Sequence, residues 1–356
     1  MNLLYRKLGD RRSFDTTRLC LALIAASCVA LAASESGLAG PAECGKCHAA
    51  QYDKQIRSRH ARALRPIRES IWAAPGGGVT DRAFAISYQP QAESVDVLVS
   101  GPSGAISAAL TWAFGAGAQG LTPVGIENGR YFEHRFSYYS RPNRLARTFG
   151  HPARPETAAS ELGVPQDTKT IFECFNCHST GAIPGGAAPD LSEMIPGVTC
   201  ERCHGPGQAH VSAAQTGASA DAIRRSIVNP KRFSAKAQIE MCGQCHRLPP
   251  PNAYPEPEVE DPITVRFAPM GLMASRCFTK SGKLSCMSCH DPHDDAKPRS
   301  DLAAYAGRCL GCHDSRPALV ASKCSRAVSR DCVSCHMPAA ALGPYLRFTD
   351  HRIRVN

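Results

Sequence analysis

The sequence predicts a mainly α-helical fold with much irregular structure and a small antiparallel β insertion near residues 83–140. Three observations lead to this prediction. One short motif of cysteine and histidine recurs seven times along the 356 residues, with brief segments between the later copies. Aromatic residues make up only 6% of the chain, which contains 29 Gly and 27 Pro residues, so the polypeptide alone offers little material for a hydrophobic core. Between the first and second copies, a long segment alternates apolar and polar residues as β-strands do.

The recurring motif is Cys-x-x-Cys-His. Its cysteines are Cys44, Cys47, Cys174, Cys177, Cys200, Cys203, Cys242, Cys245, Cys286, Cys289, Cys309, Cys312, Cys332 and Cys335. Its histidines are His48, His178, His204, His246, His290, His313 and His336. Two thiols at this spacing can form thioethers with the two vinyl groups of a haem, and the histidine that follows can bind the iron. We therefore expect seven covalently attached haem c groups, around which the helices and loops pack.

A zinc site is the alternative explanation, because Cys-x-x-Cys pairs are common zinc ligands. Zinc does not require a histidine directly after every second cysteine, whereas this chain has one in all seven copies. Haem attachment explains the whole pattern.

Residues 1–33 predict a signal peptide. Basic residues come first, an apolar run follows from Leu19 to Ala33, and small residues suited to cleavage lie near its end. The mature protein is then exported, either to the periplasm or to the extracellular surface of the cell. An uncleaved N-terminus would instead associate the protein with the inner membrane. Arg11-Arg12 and Cys28 leave a twin-arginine signal and a lipoprotein signal as further alternatives.

The rest of the chain divides into three segments. Residues 34–74 contain the first motif and a helix, residues 75–155 form the β-rich insertion, and residues 156–356 form a six-haem domain. The predicted strands are Ala83–Tyr88, Val95–Val99 and Arg130–Tyr139. The predicted short helices lie around Ala209–Ala214, Ala220–Val228, Ala235–Cys242 and Leu302–Cys309.

The formal net charge of +10 does not indicate nucleic-acid binding. Ionised haem propionates would offset the positive charge of the mature chain, so an argument from a basic surface loses its support. Redox partner proteins or a quinol oxidoreductase are the expected partners, and an oligomer is compatible with the sequence.

Six histidines outside the motifs are candidates for the second axial position on the irons. They are His60, His134, His151, His210, His293 and His351. On a helix, His60 would lie about 18 Å along the axis from His48, so we expect it to bind the iron of a different haem. His134 lies in a predicted strand and His151 in a turn, and for both a structural role is as compatible with the sequence as iron binding.

His210 and His293 follow a motif histidine by six and three residues, respectively. A ligand on the opposite face of a haem must place its nitrogen about 4 Å from the first nitrogen. Because so short a chain cannot easily pass around the haem, both histidines should reach a neighbouring haem.

Seven irons and six spare histidines leave at least one iron without a histidine as its second ligand. Met194, Met270 or Met273 could fill that position, as could a water molecule or a histidine of another subunit.

Two cysteines of the mature chain, Cys277 and Cys324, belong to no motif. An even pair in an exported protein predicts a disulfide. Two free thiols are the alternative.

Four segments together carry a resemblance to a known family. They are Glu43-Cys-Gly-Lys-Cys-His48 with Ser58-Arg-His60, Val198-Thr-Cys-Glu-Arg-Cys-His204-Gly-Pro-Gly with His210, Cys289-His-Asp-Pro-His293 and Cys335-His-Met-Pro338. They resemble the multihaem cytochromes c of the cytochrome c-554 family. Two more, Asp350-His-Arg-Ile353 and Ser137-Tyr-Tyr139, resemble features of related exported members. The resemblance implies a predominantly helical fold, closely packed haem pairs and iron-binding roles for His60, His210, His293 and His351. Seven motifs and a β insertion depart from the tetrahaem members, and the chain lacks the Cys-x-x-Cys-Lys site of pentahaem nitrite reductases.

Three functions are compatible with these patterns. Irons held by two histidines have no open position, so a series of them passes electrons, and electron transfer is the first expectation. An iron without a sixth ligand would make the protein a reductase or oxidase of a small nitrogen or sulfur compound. A histidine donated by another subunit would make it a polymerising extracellular cytochrome.

Overall fold

The computed structural model describes residues 37–73, 78–81, 84–102, 104–141, 143–182, 188–249, 262–296, 301, 303–313 and 331–354. The predicted signal peptide lies outside these residues, and so does Cys324. The signal peptide and the disulfide between Cys277 and Cys324 therefore stay predictions.

The described chain is not mainly helical. Of its residues, 39% are helical and 24% lie in strands, and its largest element is an antiparallel sheet of eight strands. The predicted mainly α fold is therefore wrong. The sheet is larger than expected because strands on both sides of the predicted insertion join it and because it buries a hydrophobic core of its own.

The sheet has the strand order β10-β7-β6-β5-β4-β3-β2, with β1 pairing with β5. Its strands are β1 (Leu64–Pro66), β2 (Gly78–Asp81), β3 (Phe84–Pro90), β4 (Val95–Gly101), β5 (Gly104–Phe114), β6 (Thr122–Glu127), β7 (Arg130–His134) and β10 (Gly163–Pro165). The two flanking strands, β1 and β10, are three residues long and contain Pro, so no alternation marks them in the sequence.

Three two-stranded ladders lie beside this sheet. They are β8 (Phe136–Tyr139) with β9 (Arg144–Arg147), β11 (Ser179–Thr180) with β12 (Ile195–Pro196), and β13 (Ala339–Leu342) with β14 (Leu346–Thr349). The last ladder ends two residues before His351 and so fixes the path of the chain into that histidine.

One face of the sheet is covered by a short helix, Ala158–Leu162. Alternation in β4 turns its three valines inward, where each has 0% exposure. From the helix, Glu161 makes a fully buried ion pair of 2.8 Å with Arg135. This face forms the main hydrophobic core of the described residues.

The opposite face contacts the helix Thr168–His178, which ends with the second motif. Trp112 and Phe114 of β5 point to this side, and they pack with Ile171 and Phe175 of the helix. The sheet therefore seats one of the seven motifs directly.

The remaining described chain consists of short helices joined by loops. Within the described residues the α-helices are Pro41–Gly45, Ala49–Gln55, Ala158–Leu162, Thr168–His178, Cys200–His204, Gln208–Gln215, Ala220–Arg225, Ala235–His246, Ala268–Ala274, Arg276–Ser281, Ala303–His313 and Cys332–His336. Short 3-10 helices span Ile67–Glu69, Ile71–Ala73, Pro230–Arg232, Pro262–Arg266 and Cys286–Ser288.

The apolar core among these helices is small. Ile239, Leu272 and Met273 form a buried cluster at its centre. None of the helices in the described part of the chain combines the length and the apolar character needed to cross a membrane.

Replacing Glu161 with alanine should lower the free energy of unfolding of the sheet by about 3–5 kcal/mol, because the Arg135 charge is then left buried without its partner. Urea denaturation followed by tryptophan fluorescence measures the effect, since Trp72 and Trp112 both contact the sheet core. Glu156→Ala, at an exposed position beside the same helix, is the matched control and should change little. Equal unfolding midpoints in the two variants would contradict the importance of this ion pair.

Candidate functional site

Five of the seven motifs end a helix at the motif histidine. In the first and fifth motifs, the backbone N–H of the histidine donates to the carbonyl of the first cysteine, at 2.9 Å for His48 and 3.0 Å for His290. One helical turn brings the side chains of positions i, i+3 and i+4 to one side. Both thiols and the imidazole of a motif therefore face the same space, as attachment of one haem requires.

Four motif histidines lie opposite a histidine from a different segment. The ring centroids are 6.4 Å apart in His48–His210, 6.2 Å in His204–His293, 6.1 Å in His246–His60 and 6.4 Å in His290–His351. An iron between two imidazoles needs nitrogens about 4 Å apart, and about 1 Å more on each side reaches the ring centres, which gives about 6 Å. The residues present thus fit one bis-histidine iron in each pair.

Five histidines, three from the facing pairs and two motif histidines outside them, have Nδ1 at hydrogen-bond distance from a backbone carbonyl. The contacts are His178 with Ala63 (3.0 Å), His204 with Val228 (2.8 Å), His210 with Ile223 (2.9 Å), His336 with Arg354 (2.7 Å) and His351 with Thr349 (2.9 Å). When Nδ1–H donates to a carbonyl, the tautomer is fixed and the lone pair of Nε2 is free for a metal. This arrangement is typical of a metal-ligating histidine.

Desolvation by the surrounding protein keeps several of these imidazoles neutral. It lowers the pKa of His246 to about 4. It also lowers the pKa values of His60, His178, His290 and His351. A neutral imidazole is the form that binds a metal, so no proton has to be displaced at neutral pH.

His134 and His151 have a different arrangement, because both lie in the sheet region and face no motif histidine. His134 is fully buried; its Nδ1 donates to the carbonyl of Leu162 (2.7 Å), and its Nε2 accepts from the hydroxyl of Tyr88 (2.8 Å). His151 places Nε2 3.0 Å from the carboxylate of Glu133. With these nitrogens engaged, both residues serve the sheet, which corresponds to the structural role left open by the sequence.

All thirteen histidines of the chain lie in its described part. Among them, His178, His313 and His336 have no second histidine opposite the ring. The ring of His178 instead contacts Phe114 at 5.3 Å. Three of the seven motifs thus lack a histidine from this chain at the second axial position.

The methionines considered as alternative ligands lie in different surroundings. Met194 packs against the aromatic cluster beside the second motif. Met273 is buried with Ile239 and Leu272 in the small apolar cluster. Met194 therefore lies beside the second motif, whose His178 faces no second histidine.

Zinc binding finds no support in the geometry. In the described ranges, no three His, Cys, Asp or Glu side chains converge into a metal-ion cage. A structural zinc site needs four such ligands. The histidines face each other in twos across a gap, which suits a haem iron.

Cysteines of different motifs also contact one another. The contacting side chains are Cys44 with Cys200, Cys177 with Cys245, Cys242 with Cys286 and Cys309 with Cys332. Cys203 lies close to Cys242, and the ring of Tyr305 lies 5.6 Å from that of His290. Arg202 of the third motif also donates to the side chain of Asn176 in the second, at 3.4 Å. Numbered along the chain, motif 1 therefore adjoins motif 3, motif 2 adjoins motifs 3 and 4, motif 4 adjoins motifs 2, 3 and 5, and motif 6 adjoins motifs 5 and 7.

Glu201, inside the third motif, is a residue that the sequence reasoning missed. Its buried carboxylate accepts the backbone N–H groups of Ala39 (2.7 Å), Gly40 (2.9 Å) and Gly207 (2.7 Å). These bonds tie the segment that leads into the first motif to the third motif. No local signal could have revealed them, since Ala39 and Glu201 are 162 positions apart.

Two segments match models of protein families. Residues 140–205, with the second and third motifs, match the family described as cytochrome c554 and c-prime. Residues 279–318, with the fifth and sixth motifs, match a doubled Cys-x-x-Cys-His motif.

One solved structure is similar in fold, the crystal structure of the outer cell wall cytochrome OcwA. The alignment covers 89% of this chain and 80% of that chain, with a TM-score of 0.53 and 16% sequence identity. At this identity the likeness is one of fold alone. No curated protein matches the sequence.

Proposed function

The chain is a multihaem c-type cytochrome with covalently bound haem c, and we propose that it transfers electrons along seven such haems. The observation that supports this most is the set of four histidine pairs with centroids 6.1–6.4 Å apart. Each bound haem supplies an iron that alternates between the ferric and ferrous states. With an imidazole on both sides, such an iron has no position for a substrate and exchanges electrons only.

We number the haems by motif and assign their axial ligands from the pairs. His48 and His210 would hold haem 1, His204 and His293 haem 3, His246 and His60 haem 4, and His290 and His351 haem 5. The remaining motif histidines, His178, His313 and His336, would hold haems 2, 6 and 7 from one side.

The adjacent motifs define the path of the electrons. Because a haem is attached at its cysteines, motifs whose cysteines touch bring the edges of their haems together. The path would run through haems 1, 3, 4, 5, 6 and 7, and haem 2 would lie beside it, next to haems 3 and 4. Cys47 of motif 1, Cys312 of motif 6 and Cys335 of motif 7 are exposed, and so is Cys203 of motif 3. Redox partners could therefore approach both ends of the path.

Export and partners belong to the same proposal. The basic and apolar character of residues 1–33 supports a signal peptide and a location in the periplasm or at the cell surface. A redox protein or a quinol oxidoreductase would supply the electrons at one end and another redox partner would accept them at the other.

A reductase or oxidase of a small nitrogen or sulfur compound is the second candidate function. It is favoured by His178, which has the Nδ1 bond of an iron ligand but no histidine opposite it. An iron held there from one side could bind a small molecule, provided that Met194 does not take the position.

A polymer joined through histidines of neighbouring subunits is less well supported. Every spare histidine of the chain is either opposite a motif histidine or engaged in the sheet. A second copy would therefore have no free histidine to donate to haems 2, 6 or 7.

The purified mature protein should contain seven haems per chain. Each thioether attachment adds the mass of one haem, so the intact mass of the denatured protein counts them directly. A shift that corresponds to fewer than seven haems, in protein made with a full haem-attachment system, would contradict the assignment of all seven motifs.

Changing His293 to alanine should convert one haem from low spin to high spin, because the iron held by His204 loses its second imidazole. EPR spectroscopy of the ferric protein measures the new high-spin signal. His151→Ala is the matched control and should produce no such signal, since His151 bonds to Glu133. A new high-spin signal in the control, or none in His293→Ala, would refute these ligand assignments.

The fully reduced protein should bind at most three equivalents of carbon monoxide, because only haems 2, 6 and 7 lack a second histidine. Optical titration with carbon monoxide gives the number. Binding to four or more haems would contradict the four bis-histidine assignments, and no binding at all would remove the support for catalysis.

A further inference from the structure

The four histidine pairs differ in the angle between their imidazole planes. The planes are nearly parallel in His204–His293 (11°) and His48–His210 (21°). They make 46° in His290–His351 and 77° in His246–His60. The pair that holds haem 4 is therefore the nearly perpendicular one among the pairs that the chain forms.

The rings are held by different parts of the backbone. His204 and His210, one from each nearly parallel pair, bond at Nδ1 to the carbonyls of Val228 and Ile223; Ile223 lies in the helix Ala220–Arg225 and Val228 follows it. His60 lies in a turn, and its backbone carbonyl accepts the N–H of Val198 at 2.8 Å. His246 ends a helix just before Arg247, whose φ is 58°. The two rings of haem 4 thus come from unrelated backbone anchors.

The angle between the imidazoles has electronic consequences for the iron. Parallel planes act on the same iron dπ orbital and separate it from the other one, which stabilises the ferric state and gives a rhombic low-spin EPR signal. Perpendicular planes act on one dπ orbital each, so the two orbitals stay nearly equal in energy. The ferric state is then less stabilised, and the low-spin EPR signal becomes highly anisotropic with a large maximal g value.

Haem 4 would also lie in the middle of the array. Motif 4 adjoins three others, through Cys245 with Cys177, Cys242 with Cys286 and Cys203 near Cys242. Haem 4 would thus have one neighbour on the side of haems 1 and 3 and another on the side of haems 5, 6 and 7.

We propose that His60 orients its imidazole so that haem 4, in the middle of the array, has a higher reduction potential than haems 1 and 3. This inference rests on the proposed electron-transfer function. One electron leaves the ferrous iron held by His204 and His293 and reduces the ferric iron held by His246 and His60, without a change in bonds or protons. An external one-electron donor then reduces haem 3 again, and haem 4 distributes the electrons to its other two neighbours.

A potentiometric titration of the wild-type protein followed by EPR tests this proposal. We expect one highly anisotropic low-spin signal beside rhombic ones, and on stepwise reduction it should disappear at a higher potential than the two rhombic signals of haems 1 and 3. Loss of the anisotropic signal at a lower potential, or its absence from the spectrum, would overturn the proposal.

Two variants assign the signal. His60→Met should abolish the anisotropic signal and leave the rhombic signals, whereas His210→Met, the matched control, should keep the anisotropic signal and remove a rhombic one. An anisotropic signal that survives in His60→Met would overturn the role of His60. Haem content and the rate of reduction of the whole array are measured on the same samples. A wild-type protein that is fully loaded with haem but passes no electrons would refute the proposed function instead, so the two failures are distinguishable.

Discussion

An iron held by two imidazoles joins two segments of chain, because the second nitrogen has to lie about 4 Å beyond the first, on the far side of the haem. In the proposed assignment, four such links organise this protein. They connect positions 48 and 210, 60 and 246, 204 and 293, and 290 and 351. Between the short helices the apolar cluster is small, so these links take over much of the role that a hydrophobic core has elsewhere. Folding of this part and haem binding are then one process, as in other metal-dependent domains.

The sheet follows the ordinary rules of a globular domain and has a core of buried valines, a covering helix and a buried ion pair. It uses two of the thirteen histidines for its own hydrogen bonds, His134 and His151. At its other face it seats the helix of motif 2, where His178 has aromatic neighbours in place of a histidine. Motif 2, at the boundary between the sheet and the helices that contain the other motifs, therefore differs from the four motifs whose histidines face a second histidine.

The sequence predicted the parts of this arrangement that depend on neighbouring residues. The motif implies its own cofactor, and alternation of apolar and polar residues revealed the strands that became β3, β4 and β7. The fold class was wrong because the sheet also contains β2, β5 and β6, which lie outside the predicted strands. The short strands β1 and β10 are in addition recognisable only by their partners, Phe114 and His134 among them. Helix formation around each motif depends on neighbouring residues alone, and the prediction of a mainly α-helical fold relied on it.

The short spacing between histidines also predicted part of the pairing. His210 and His293 follow their own motif histidines by only six and three residues, so each was expected to reach a different haem. The structure puts them opposite His48 and His204. Which histidine meets which motif depends on tertiary packing that no local pattern encodes. Tertiary packing also determines the partners of Glu201, which are backbone N–H groups. It likewise places the carbonyl groups of Ala63 and Val228 beside His178 and His204, and backbone groups cannot be identified from a sequence pattern.

The most direct test of the cross-segment pairing is a crystal structure of the haem-loaded protein with every axial ligand assigned. The pairing predicts His210, His293, His60 and His351 on the irons of motifs 1, 3, 4 and 5, with no histidine of the chain opposite His178, His313 or His336. An iron of these four motifs bound by a different residue, or His134 or His151 found on any iron, would contradict it.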